Sequence, residues 1–561
     1  MIVKSKKFLT LILAGMMAMT AFTACGDDTG SSSETTDGSS QAASADDGAA
    51  AGTVEGVNLE GYPIVNDPMT VTMMGNKAAI HGEWDTLEFF DIMEEMTNIS
   101  FEFDTPASEV LEEKKNLALN SGTYAEVMFG TNLSRDQQVK YGSQGILLPL
   151  EDLIEEYCPN IMACFEANPG FRESITAPDG HIYAMAQITT APIALTGSMW
   201  VNKEWMDTLG IADEDLPTTV EGFQELLTRF RDEDPNGNGE QDEVPFVIFD
   251  DADKGMSLYN NMLPWFGVLS PSFYVDDDGV IHYGMIEENA KVGMEYIHNL
   301  YAEKLIDNDC FVTGAAEAQA KGAEGRVGSG FHALPRFVFG NMTIEEEATY
   351  PCMPALSSDV NPEQTTTKNT GISQGTFALT DKCSEEVQVA MMRWLDYLYS
   401  EDGSWLIHYG PEGHIWEPSP NNPDMAVYIQ PEDGRNTEEV RGGEITPDCG
   451  VACPKWVRST TEAAWDDVQQ QARISWVDQN MWPYAKLVLP DMYFTTEEQA
   501  ELDVLSTDLK KYMTENNAKF ITGDKSFDEW DAYVQGYKDM GIDRMLEIYQ
   551  ASYDRWASAS K

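Results

Sequence analysis

Between Asp234 and Glu243 the chain sets oxygen-bearing side chains at alternate positions. Asp234, Asn236, Asn238 and Asp242 carry them, Glu243 follows directly, and Gly239 allows a tight turn. A hard cation such as calcium takes roughly six to eight oxygen ligands, and this alternation lets a short loop fold around one. The loop departs from an EF-hand, because Pro245 stands at the twelfth position counted from Asp234 and no ordinary second helix follows. The spacing therefore predicts a solitary structural calcium site and not a sensor. The alternative is a polar Asn-Gly turn that holds no metal.

Other reactive groups are sparser. Cys25 ends Phe22-Thr23-Ala24-Cys25, which looks like a lipobox whose cysteine is lipidated and becomes the mature N-terminus. Lys4, Lys6 and Lys7 precede it as a basic n-region, and Phe8 to Phe22 is apolar but too short and too early for an ordinary membrane span. The reading is a signal peptide over 1–24; the alternative is a plain signal with an incidental cysteine. Seven further cysteines remain, and Cys449 and Cys453 are spaced to bridge a loop, although spacing does not establish a disulfide. No second Cys or His pair stands near them at zinc-ligand spacing. His-Glu-x-x-His and a phosphate-binding glycine loop are both missing from the sequence.

The elements that must position the loop begin just before it. Thr218 and Glu221 form a Thr-x-x-Glu capping pattern, and Phe223, Leu226, Leu227 and Phe230 fall on one helical face. Earlier, Thr70 to Met74 reads as a buried strand, Leu87 to Met96 as a helix and Ile99 to Phe103 as an alternating strand. A helix over Glu109 to Leu119 and a strand over Glu126 to Phe129 complete a parallel αβ pattern. Ligands in such sheets sit at strand carboxyl ends, here Gly75-Asn76-Lys77 and Gly130-Thr131-Asn132. Farther on, Phe246 to Phe249 reads as a core strand and Tyr274 to Tyr283 as a hairpin. Glu287 to Leu305 reads as a helix with Val292, Tyr296 and Leu300 in step, and Gly371 to Leu379 as a return strand. A helix with Val387, Met391, Trp394 and Leu398 inward follows, and Phe494 to Trp556 reads as long amphipathic helices.

Bulk properties narrow the class. The chain has 561 residues and a net charge of −60, which repels nucleic acid, so no nucleic-acid partner is expected. Residues 25–57 contain little to bury and read as a lipidated cysteine plus disordered linker, with a reach of about 30 Å. The rest is too long for one hydrophobic core and suggests two large lobes.

Several stretches together carry a family resemblance. The helix followed by Asp234-Pro-Asn-Gly-Asn-Gly-x-x-Asp-Glu-x-Pro245 resembles extracellular solute-binding proteins of ABC transporters, in the oligosaccharide-binding group that includes alginate-binding and LplA-like lipoproteins. Gly197 to Ile211, with its Asn-Lys-x-Trp-x-x-x-Leu-Gly, is similar to the same family. So are Tyr409 to Trp416, with Gly-x-Glu-Gly, and the Lys519 to Trp556 tail. In calcium-binding relatives the cation is held at positions matching Asp234, Asn236, Asn238, Asp242 and Glu243, plus the backbone carbonyl at Glu240.

The resemblance implies an α/β, two-lobe periplasmic-binding-protein-like (type II) fold with discontinuous lobes joined by hinge segments. The N-terminal lobe would take 58–190 plus 370–412 and the C-terminal lobe 191–369 plus 413–561, with crossings near 188–194, 368–375 and 410–416. It implies a monomeric, non-enzymatic receptor, lipid-anchored on the extracytoplasmic face of the cell membrane. That receptor would capture a sugar between its lobes and deliver it to ABC permease subunits. Sugar capture needs aromatic faces and polar groups. By position, the candidates are Asn76 and Asn132 at strand ends, Trp84 after the first strand, and Trp200 past the first crossing. Trp265 and Phe266 lie in an aperiodic loop, Trp416 at the third crossing, and Arg336 is suited to an anionic sugar group. Trp205, Trp394 and Trp405 lie on patterned helices and read as structural. Two other classes stay open: a module presenting ligand to a membrane sensor, and a surface glycoside hydrolase with a carboxylate pair.

Overall fold

The computed structural model describes residues 54–248, 258–312, 314–340, 342–431, 433 and 435–559. The signal peptide, Cys25 and most of the expected linker lie outside these residues. Residues 54–57 of that linker are already part of the fold: Val57 is buried and bridges Val65.

The first lobe is organised by a six-stranded sheet. In chain order its strands are β1 (Met69–Gly75), β2 (Ile99–Asp104), β3 (Val127–Phe129), β4 (Met185–Thr189), β5 (Ile372–Leu379) and β6 (Trp456–Val457). Their spatial order is β6-β4-β5-β3-β1-β2. β1 runs parallel to β2 and β3, with Met73 opposite both Phe103 and Val127. β5 returns antiparallel between β3 and β4. β3 and the C-terminal half of β1 are apolar and buried, as strands at the covered centre of a sheet are. Helix α1 (Glu88–Thr97) buries Phe89, Phe90 and Met93, and α2 (Glu385–Tyr399) buries Val387, Met391, Trp394 and Leu398, the face its spacing predicts. Gly75 is required where β1 ends: a Cβ there would lie 2.2 Å from the Trp84 ring. Gly375, with φ of +64°, sits in an irregular stretch of β5, and a Cβ would meet the Leu133 carbonyl at 2.1 Å.

The second lobe has no comparable sheet among the described residues. Met199–Val201 pairs antiparallel with Ser329–Phe331, and Asn361–Lys368 pairs with Leu356–Ser358 and Ala485–Leu487. Phe273–Val275 and Ile281–Tyr283 form the expected hairpin. The strand expected over 246–249 is instead a set of single parallel bridges: Val244 to Val327, Phe246 to Ile306 and Val247 to Gly330. Phe249 lies outside the described residues. The core is filled by helices. Glu288–Ala302 turns Ala290, Met294, Ile297 and Leu300 inward against Thr496–Thr522, while Val292 is exposed, one step round from the expected stripe. Trp530–Asp539 and Ile542–Ala559 close the base with Tyr533, Tyr537, Met545 and Ile548.

The chain passes between the lobes after Thr189 and again from Lys368 to Ile372. The third crossing, expected near 410–416 with 413 onward in the C-terminal lobe, lies later. β6 hydrogen-bonds to β4 of the first lobe, and Trp465 packs with Trp416 and Ala426 beside that lobe. The segment 413–466 therefore belongs with the first lobe, and the helix Val468–Asn480 carries the chain across to pack on Pro192–Leu195. The chain then dips back once more: Tyr493 sits in the first lobe's cluster with Leu133 and Tyr141.

Candidate functional site: a cation loop and a lobe-junction cavity

The helix before the loop spans Val220–Asp232. Its N-cap is Thr219, whose hydroxyl accepts from the Gly222 amide, one residue later than the Thr-x-x-Glu pattern indicated. The shift has a tertiary cause: the Thr218 carbonyl is engaged by Ser357 through both its amide and its hydroxyl, which places Thr219 at the helix entry. Beyond the helix, Asp234 takes φ of +44° and Gly237 and Gly239 are also left-handed, so the chain curls on itself. Asp234 accepts from the Gly239 amide at 3.1 Å, and Asn238 accepts from the Glu240 amide at 2.7 Å. Asp242 is approached by the Asn238 amide at 2.9 Å and by Arg326 at 3.2 Å.

The loop's oxygens suit a cation. Asp234 Oδ1 and Glu243 Oε1 are both buried without a hydrogen-bond partner. Burial raises the Glu243 carboxyl above its ordinary value, and the charges of Asp242 and Asp234 push the same way. A divalent ion drawn to these carboxylates relieves both penalties. Among the described residues no three His, Cys, Asp or Glu side chains converge on one point, so amide and carbonyl oxygens are needed to complete a shell.

The second feature is a cavity of about 340 Å³ where the interlobe segments meet. Leu195 and Gly197 line it from the first crossing, Thr367 to Thr370 from the second, and Val488, Leu489 and Asp491 from the later one. A narrower pocket next to it shares Gly197 and Thr367 and reaches Trp265, Phe331 and Met353. The Asp491 carboxylate accepts from the Arg135 guanidinium of the first lobe and from the Thr370 hydroxyl. The Lys368 ammonium lies over the Trp482 ring, 4.4 Å from its centroid.

The residues singled out from sequence are dispersed relative to this cavity. Trp84 is 1% exposed, its ring set among Phe90, Phe103 and Phe129 in the first-lobe core. Trp200 is equally buried and donates to the His332 carbonyl at 2.9 Å. Trp265 and Phe266 stand in the second-lobe core, where Trp265 packs on Phe223 and Phe266 on Tyr296. Trp416 is buried against Trp405 and donates to the Gly410 carbonyl. The rings of these five thus serve packing, and only Trp265 reaches a pocket wall. Asn76 is buried and accepts from the Ser108 hydroxyl at 2.6 Å, while Asn132 is exposed with φ of +49°. Arg336 is already paired with Glu347 at 2.8 Å. Lys368, Trp482 and Asp491 were not singled out. Trp482-Pro483 stands in an aperiodic stretch like that around Trp265, a signal that points to it equally well.

A buried polar network fastens the segment before β6 to the first lobe. Lys455 and Asp448 are both almost fully buried and meet at 2.5 Å; His408 contacts the other Asp448 oxygen, and Lys455 also donates to Gln187. Burial alone would raise the Asp448 carboxyl, but Lys455 and His408 outweigh it and bring it down to about 2. The Arg441 guanidinium donates to the His408 and Asp448 carbonyls, and the His81 ring meets the Cys449 carbonyl at 2.6 Å.

The family model of bacterial extracellular solute-binding proteins matches residues 77–405. The fructooligosaccharide ABC transporter substrate-binding protein FusA of Streptococcus pneumoniae is 24% identical over 482 residues, 83% of this chain and 86% of FusA. The FusA structure in complex with kestose superposes with a TM-score of 0.69 at 22% identity, over 87% of this chain and all of that one. A FusA EF-hand mutant in complex with fructo-nystose gives 0.68 at the same identity and coverage. A human-milk-oligosaccharide (HMO) binding, ABC-transporter-associated solute-binding protein of Bifidobacterium longum infantis gives 0.71 at 19% identity, over 88% and 99% of the two chains. With more than half its length matched, the chain belongs to the bacterial extracellular solute-binding protein family, and its fold is that family's two-lobe α/β architecture. No helix among the described residues is long and apolar enough to cross a membrane.

Proposed function

We propose that this protein is the substrate-binding receptor of an ABC importer. It captures a sugar, an oligosaccharide, between its lobes and passes it unaltered to membrane permease subunits. The observation that carries this reading is a cavity walled by the segments that pass between two lobes, in a chain of the solute-binding family. A ligand bridging both lobes shifts the open–closed equilibrium by its differential contacts, which is all that a receptor requires. In the same proposal Cys25 is the lipid attachment that holds a monomer at the extracytoplasmic face. One structural calcium is held by Asp234, Asn236, Asn238, Asp242 and Glu243 with the Glu240 carbonyl. Its contribution would be to fix the turn that feeds the Val244–Val247 bridges of the second lobe. The orphaned Asp234 and Glu243 oxygens support that assignment.

The test is incubation of the mature protein with a panel of oligosaccharides. Saturable thermal stabilisation with no change in the sugar is expected. Turnover products would point to a hydrolase instead, and no stabilisation by any glycan would end the sugar-receptor reading.

A further inference from the structure

The junction cavity contains two ionisable side chains of opposite sign, Lys368 and Asp491, and they are not equally satisfied. Asp491 is held by the Arg135 guanidinium and the Thr370 hydroxyl, so its charge is answered from the first lobe. Among the described residues no carboxylate lies within ion-pair distance of Lys368. Its ammonium rests on the Trp482 face, and Lys368 is pinned at the second crossing by a backbone bridge to Thr196. Several other basic side chains of the second lobe are answered by carboxylates. Arg336 pairs with Glu347, Lys321 with Asp307 and Asp309, and Lys486 with Asp277.

When a ligand fills the cavity, water leaves it. An ammonium whose remaining partner is an aromatic face is then costly, unless the ligand supplies a negative oxygen. A carboxylate that enters the cavity in reach of Lys368 forms a short charge-assisted hydrogen bond, while the Trp482 ring behind the ammonium holds it in place. The protein's overall negative field does not forbid this. At physiological ionic strength it is screened over about 8 Å, whereas the contact to Lys368 is direct. Resting on the sugar-receptor reading, we infer that the ligand is an acidic oligosaccharide and that Lys368, seated on Trp482, reads the carboxylate of a uronic acid unit.

The experiment is calorimetric titration of the mature protein with oligouronates (trigalacturonate, trimannuronate and a glucuronic-acid-substituted xylooligosaccharide), their methyl esters, and neutral kestose and maltotriose. The expected result is binding of at least one uronate, weakened tenfold or more by esterification and by rising salt. Lys368→Met should cost at least tenfold in affinity for that uronate, Lys368→Arg should retain most of it, and the ligand-free melting temperature should not move in either variant. Binding of a neutral oligosaccharide in preference to every uronate would overturn the inference and leave the receptor reading intact. So would a Lys368→Met variant that binds its uronate as the parent does. Absence of binding by every glycan tested would instead remove the receptor reading on which the inference rests.

Discussion

The two lobes solve the same packing problem differently. The first is built on a continuous sheet, and even its late-joining segment, the stretch ending in β6, is tied in by hydrogen bonds to β4 and by the buried Lys455–Asp448 pair. The second has short strand pairs and single bridges, helices supply most of its core, and a curled acidic loop stands directly before its central bridges. The contrast teaches that the first lobe is held by a continuous ladder, whereas the second relies on helix packing and scattered ion pairs, to which the proposed calcium would add one more tie.

The sharpest way to break the first half of that contrast is Lys455→Met. It leaves the Asp448 carboxylate buried with the His408 ring as its side-chain hydrogen-bond partner, and removing one member of a buried pair costs roughly 3–5 kcal/mol. Denaturant unfolding should show that loss at neutral pH. Asp448 is depressed in the folded state, so the parent gains stability from it above the ordinary carboxylate range. That gain is lost as pH falls toward about 2. The variant should show a smaller loss over the same window.

Metal removal addresses the other lobe. If calcium completes the loop, a free concentration a hundred times its Kd stabilises by about 2.7 kcal/mol, and a chelator should lower the melting temperature accordingly. Asp234→Ala should abolish that response. The raised Glu243 carboxyl protonates earlier than an ordinary glutamate, so calcium affinity should start to fall at a higher pH as the solution is acidified. A melting temperature indifferent to chelator, with no calcium by metal analysis, would leave the loop a polar turn.

Arg336→Ala gives a smaller effect. It strands Glu347, whose second carboxylate oxygen is already buried without a partner, and roughly 1–3 kcal/mol of stability should go with it. If Arg336 contacts an anionic ligand as well, the variant loses affinity beyond what its stability explains.

How much was legible in the sequence follows the same division. β1, β2, β3 and the inward face of the helix Glu385–Tyr399 show in periodicity because each is a local pattern facing one core. β6 did not, since a two-residue strand carries no period, and the late third crossing was missed with it. Thr219 replaced Thr218 as the cap because Ser357, 139 residues away, claims the Thr218 carbonyl. Position along the chain marks aromatic candidates, but whether a tryptophan face is open depends on neighbours from distant segments. Trp84 is walled in by Phe103 and Phe129, while the Trp482 ring is met by Lys368 from a distant strand. The oxygen spacing from Asp234 to Glu243 is readable because all of these side chains lie close together along the chain.

Small-angle X-ray scattering of the mature protein, titrated with a glycan that raises its melting temperature, tests the receptor account most directly. Closure of the two lobes around the junction cavity predicts a radius of gyration that falls in proportion to occupancy, with the glycan recovered intact. A radius unchanged at saturation would contradict it.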